Sequence, residues 1–312
     1  MTLTNHQKGI LLAFIGVMLL TPDSLLIRLI TVDTWSLLFY RSLIPGLFLL
    51  LCLIVYTRKN FFKFFFNAGK FGLLNSVFIT ASNIFFILAL QNTNVANALV
   101  MVSLVPLIAA IISFIFLKER LDIITNTAIF LCLIAVIFIF YDSIGTDGIR
   151  KFEEFLDQGD SRFEAVIKLV SKGSILGDIF AILTAVAVAG SLVIIRSAPT
   201  KNFIPSYVMG KLCTALFASL LVTSFVIGSL DLTYIFLMIF TVGFSFIFIT
   251  FAPRFISASE VGLFFLLETA LGPIWVWWFI SEVPSFNTIV GAIIIVFIIF
   301  LHSIYMLKKT DE

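Results

Sequence analysis

The 47 residues from Phe71 to Leu117 contain no charged side chain. As one helix, at about 1.5 Å per residue, they would reach roughly 70 Å, more than twice the roughly 30 Å of hydrocarbon in a bilayer. Two crossings with a turn between them satisfy the length, and the polar run Gln91-Asn92-Thr93-Asn94 supplies the turn. The same rule predicts spans near 9–30, 34–56, 71–90, 95–117, 122–141, 174–196, 203–229, 232–252, 256–280 and 284–307. These runs are apolar on every side, whereas barrel strands are segments of about 10 residues that alternate apolar and polar. With 61% hydrophobic and only 12% charged residues, the chain cannot be a water-soluble domain. The expected fold is an all-α integral membrane protein of ten transmembrane helices.

Basic residues between the spans set the orientation, because short cytoplasmic loops collect Lys and Arg. With the N-terminus inside, Lys8, Arg58, Lys59, Lys63, Lys70, Lys118, Arg120, Arg196, Lys201, Arg254, Lys308 and Lys309 all fall on the cytoplasmic side. Both termini are therefore expected in the cytoplasm. Residues 142–173 form a long extracytoplasmic loop in which Phe152, Phe155, Phe163 and Val166 recur at helical spacing, as in an amphipathic helix on the membrane surface. A net charge of +2 is too small for a phosphate-binding field, so no nucleic acid partner is expected. The bilayer and a small molecule are the partners that the composition leaves. Monomer and homodimer both stay open.

The chain also repeats itself. The segment ALQNTNVANALVMVSLVPLIAAIISFIFLKERL from Ala89 aligns without gaps on APRFISASEVGLFFLLETALGPIWVWWFISEVP from Ala252. Asn97 then meets Glu260, and Glu119 meets Glu282. Arg41 and Lys211 occupy matching places in the second helix of each half. The halves divide at 9–141 and 174–307, each with five helices. An odd number makes the second copy enter the membrane in the opposite sense, the architecture of two inverted repeats around a central site.

These residues carry a resemblance. FYRSLIPG in span two, SLVPLIAAIISFIFLKERL in span four and LLETALGPIWVWWFISEVPS in span nine resemble the drug/metabolite transporter superfamily, and in it a chain of two EamA repeats. The resemblance implies ten spans with both termini inside, in a bacterial cytoplasmic membrane. It also implies secondary transport, commonly the export of small metabolites such as amino acids.

Charges in apolar spans mark the candidate site, since a central Arg, Lys or Asp costs on the order of 2.5–3.5 kcal/mol unless it faces protein or water. Asp23, Arg41, Lys211 and Glu268 qualify. Glu268 falls near the middle of span nine, before Gly272-Pro273, and is the candidate coupling residue that could carry a proton across. Arg41 and Lys211 are candidates for holding a carboxylate or phosphate. Asp23 follows Pro22, whose ring frees a carbonyl, and could receive a substrate amine. Ion pairs among these four are the structural alternative. Asn83, mid-span, and Trp277, in a tryptophan-rich span end, complete the substrate-binding candidates.

Chemistry at the site is not indicated. His6 and His302, the only histidines, lie near opposite chain ends, and Cys52, Cys132 and Cys213 sit singly in apolar runs, so no metal centre is expected. No GxxxxGK[ST] loop and no GxSxG elbow occurs, so neither a cofactor nor an enzymatic activity is expected. A secondary transporter working by alternating access fits best. The alternatives are a translocator of lipid-linked or nucleotide-linked substrates, and a non-transporting receptor or assembly factor.

Overall fold

The computed structural model describes residues 4–58, 62, 67–92, 95–120, 122–138, 174–281 and 286–309; the expected loop at 142–173 lies outside them. Every regular element among the described residues is helical. In chain order these are α1 (Asn5–Leu20), α2 (Asp23–Leu29), α3 (Thr34–Thr57), α4 (Gly69–Asn92), α5 (Val95–Val102), α6 (Val105–Leu117) and α7 (Ile123–Phe138). The second half adds α8 (Ser174–Ser197), α9 (Ile204–Ser219), α10 (Ser229–Met238), a π-helical turn (Ile239–Phe244), α11 (Ser245–Phe251), α12 (Ala258–Ile280) and α13 (Phe286–Lys309).

Eight stretches among the described residues are long and apolar enough to cross a bilayer: Asn5–Leu29, Thr34–Thr57, Gly69–Ala89, Ala98–Leu117, Leu176–Ser197, Ser229–Arg254, Ala258–Ile280 and Ile289–Met306. The other two expected spans, 122–141 and 203–229, coincide with the shorter α7 and α9. At 16 residues, α9 reaches only roughly 24 Å. Beyond it the chain turns, with Leu221 and Val222 both donating to the Ala218 carbonyl, and stays non-helical to Gly228.

Two expected helices are broken. Span one stops at Leu20 and restarts at Asp23, because Pro22 has no N–H to offer the Met18 carbonyl. The Thr21 hydroxyl donates to that carbonyl instead, at 2.9 Å. Span four breaks between Val102 and Val105, ahead of Pro106. Pro45 and Pro273 sit inside α3 and α12 without ending them. Outside the spans, Asp33 caps α3 by accepting from the backbone N–H groups of Trp35 and Ser36. The Ser36 hydroxyl beside it, aided by these bonds, holds the Asp33 carboxyl below its ordinary range.

Most packing runs between the halves rather than within them. α4 lies on α8 and α9, α3 on α9, α6 on α8 and α12, and α1 on α11 and α12. The π-turn touches α3. Exchange the halves span for span and this pattern maps onto itself: α4 on α8 becomes α11 on α1, and α6 on α8 becomes α12 on α1. Span one is held at both ends by acidic residues of the other half. His6 Nε2 lies 3.5 Å from Glu260 near one end, and Asp231 accepts from the Thr31 backbone N–H and hydroxyl at the other.

The tightest crossing is α6 on α12. A Cβ on Gly262 would lie 2.8 Å from Pro106 Cα and 3.1 Å from its nitrogen, backbone atoms that cannot rotate away. Gly262→Ala should therefore lower stability by about 1–3 kcal/mol through overpacking. Thermal unfolding of the purified protein in detergent would measure it, and an unchanged midpoint would mean that the helices do not approach this closely.

Candidate functional site

The broken first span carries Asp23 to the start of α2, where it is 1% exposed. On α3, one turn ahead of Pro45, Arg41 donates to Asp23 Oδ2 through Nε, at 3.2 Å, and through Nη2. Both donors go to one oxygen. Asp23 Oδ1 is buried without a hydrogen-bond partner. Beside the break, Trp275 Nε1 donates to the Thr21 hydroxyl at 3.0 Å, tying α12 to span one. A Cβ on Gly272 of α12 would come within 2.9 Å of Ser24 Oγ, so the two helices pass closely here.

From the other half, α9 contributes Lys211, 1% exposed. Its Nζ donates to Asn83 Oδ1 of α4 at 2.9 Å, and Asn83 Nδ2 in turn donates to the Ile79 carbonyl. The ammonium lies 5.7 Å from the ring centre of Tyr207 and 5.9 Å from that of Phe246. No carboxylate lies within ion-pair distance of it among the described residues. α9 is fixed to α4 by Thr80, whose hydroxyl donates to the Gly210 carbonyl, and by Asn75, which donates to Ser206 and accepts from Ser191 of α8.

Glu268, in the middle of α12, lies deep among the helices yet keeps accessible surface, and no hydrogen bond to it is found among the described residues. Asp23, Arg41 and Glu268 interact electrostatically, as do Arg41, Asp23 and Lys211. The four charged candidates thus form one cluster, drawn from α2, α3, α9 and α12. Two readings foreseen for them separate: Arg41 closes an ion pair with Asp23, whereas Lys211 is held by an amide and aromatic rings.

Asn83 joins this cluster through Lys211. Trp277 does not; it is 43% exposed, beside the exposed Trp278 and Phe279. Trp275 points inward instead. Two further residues of the cluster, Tyr207 and Thr21, carry no motif, although Tyr207 stands one helical turn before Lys211 and so on its face. An apolar groove of about 360 Å³ between α12 and α13, lined by Ile274, Ala292, Ile293, Val296, Phe297 and Phe300, holds none of these charges.

A bundle in which eight helical stretches are long and apolar enough to cross a bilayer, with buried charges between them, is that of a multi-pass membrane protein. Residues 7–141, under half of the chain, match the EamA-like transporter family. A solved structure, titled only as the crystal structure of a protein, has the same fold. It superposes with a TM-score of 0.74 at 14% identity, over 98% of this chain and 100% of that one. No curated protein matches the sequence.

Proposed function

We propose that this protein is a secondary transporter that exports small metabolites, amino acids or organic anions, across the cytoplasmic membrane by alternating access. The single observation that carries this reading is the cluster of Asp23, Arg41, Lys211 and Glu268 among the apolar helices. In hydrocarbon such charges are costly unless they line a route for something polar. Lys211 offers spare N–H donors to an anionic group, while Asp23 Oδ1 and Glu268 offer acceptors to a cationic one. A small zwitterion meets both requirements at once, which favours amino acids within the proposed class.

All ten helices count as spans in this reading, the short α7 and α9 included, and the two five-helix halves are inverted repeats. The exchangeable packing of the halves supports it, since two similar halves can rock between an outward-open and an inward-open state at similar energy. The basic loops favour an orientation with both termini in the cytoplasm. Glu268 is the proton carrier, because among the clustered carboxylates it alone is not bonded to a cation.

Reconstitution in liposomes tests the proposal: flux of single amino acids and small organic acids is measured with and without a proton gradient. Uptake or release that grows with the gradient is expected. Flux indifferent to the gradient would remove proton coupling and leave facilitated exit. No flux of any compound would favour a receptor or assembly role.

A further inference from the structure

Tyr207 is 2% exposed, and its ring stacks on Phe246 with centroids 4.7 Å apart and planes at 16°. That packing uses the ring alone. The hydroxyl is buried without a hydrogen-bond partner, an arrangement that native interiors avoid. Phenylalanine would fill the same space without a polar atom to satisfy, and this chain uses 37 phenylalanines against 6 tyrosines. The hydroxyl therefore needs an explanation other than packing. A second unmet group lies in the same cluster: Asp23 Oδ1, in a residue 1% exposed, whose other oxygen receives both donors of Arg41. Asp23 and Arg41 are near enough for their charges to act on the Tyr207 phenol.

The groups sort by chemistry. Tyr207 and Lys211, one turn apart on one face of α9, are both donors. A carboxylate has two oxygens in one plane and can take one donor on each. Asp23 Oδ1 can only accept. We infer that Tyr207 is a substrate-contacting, specificity-determining residue. Its hydroxyl donates to a carboxylate of the transported molecule that Lys211 neutralises, while Asp23 Oδ1 accepts from the same molecule's ammonium group. This rests on the transport reading above and adds the residue that discriminates a carboxylate from an uncharged end.

The test compares wild type and Tyr207→Phe in liposomes, with amino acids and the corresponding amines that lack the carboxylate as probes, and adds thermal unfolding of both proteins without ligand. The variant should unfold no earlier than wild type, because it loses an unpaired buried hydroxyl. Its half-saturating concentration for a transported amino acid should rise roughly tenfold, with maximal flux much less changed and the weaker movement of the amine unaltered. Equal effects on acid and amine, or none on either, would overturn the assignment alone. So would earlier unfolding of the variant, since the hydroxyl would then be bonded within the protein. A wild type that moves none of the probes would overturn the transport of amino acids and this assignment with it.

Discussion

Asp23→Ala should give a protein that unfolds far more easily than wild type, by about 3–5 kcal/mol, because it leaves a guanidinium buried without its carboxylate. The pair is deeply placed, with the Arg41 side chain 11% exposed and that of Asp23 1%. The attraction within such a pair does little more than offset the loss of hydration, so deleting both partners is tolerated far better than deleting one. Asp23→Leu combined with Arg41→Met should therefore recover most of the lost stability while remaining inactive in flux. Thermal unfolding of the two single variants and the double variant in detergent checks this. Additive losses in the double variant would mean that the two residues act separately, with Asp23 available to a substrate at all times.

Glu268→Gln should keep the fold and abolish the response to a proton gradient. The amide has the size and shape of the carboxyl group but cannot take up and release a proton. No hydrogen bond to Glu268 is found among the described residues, so the change should break none there. Downhill exchange of a substrate across liposomes should continue, whereas accumulation driven by a pH difference should fall at least tenfold, a loss of about 1.4 kcal/mol or more of driving force. Full gradient-driven accumulation by the variant would assign Glu268 to substrate binding or packing and remove it as the carrier.

Apolar length made most spans legible, since a run such as Phe71 to Leu117 has few ways to lie in a membrane. It could not foretell the break before Pro106 or the early end of α9 at Ser219, both set by local backbone chemistry inside an apolar stretch. The charged cluster was legible for the same energetic reason, because Asp23, Arg41, Lys211 and Glu268 each violate the hydrocarbon rule. Aromatic residues follow no such rule. Trp275 and Trp277 differ by about 200° around α12, at 100° per residue, so one faces inward and the other outward. Glu268 marks the phase of that helix: Trp275, seven residues on, shares its face, whereas Trp277 stands about 180° from it. Tyr207 looked like any aromatic residue of an apolar span. Only its position four before Lys211 could have singled it out.

The crosswise packing also dictates an order of events during synthesis. Asn75 emerges from the ribosome 116 residues before Ser191 and 131 before Ser206, the two side chains that later satisfy it. Thr80 waits 130 residues for the Gly210 carbonyl. The leading half must therefore enter the bilayer with its polar seams unmatched, and it can mature only when the trailing half arrives. Made without the trailing half, the leading half should keep Asn75 and Thr80 without these partners.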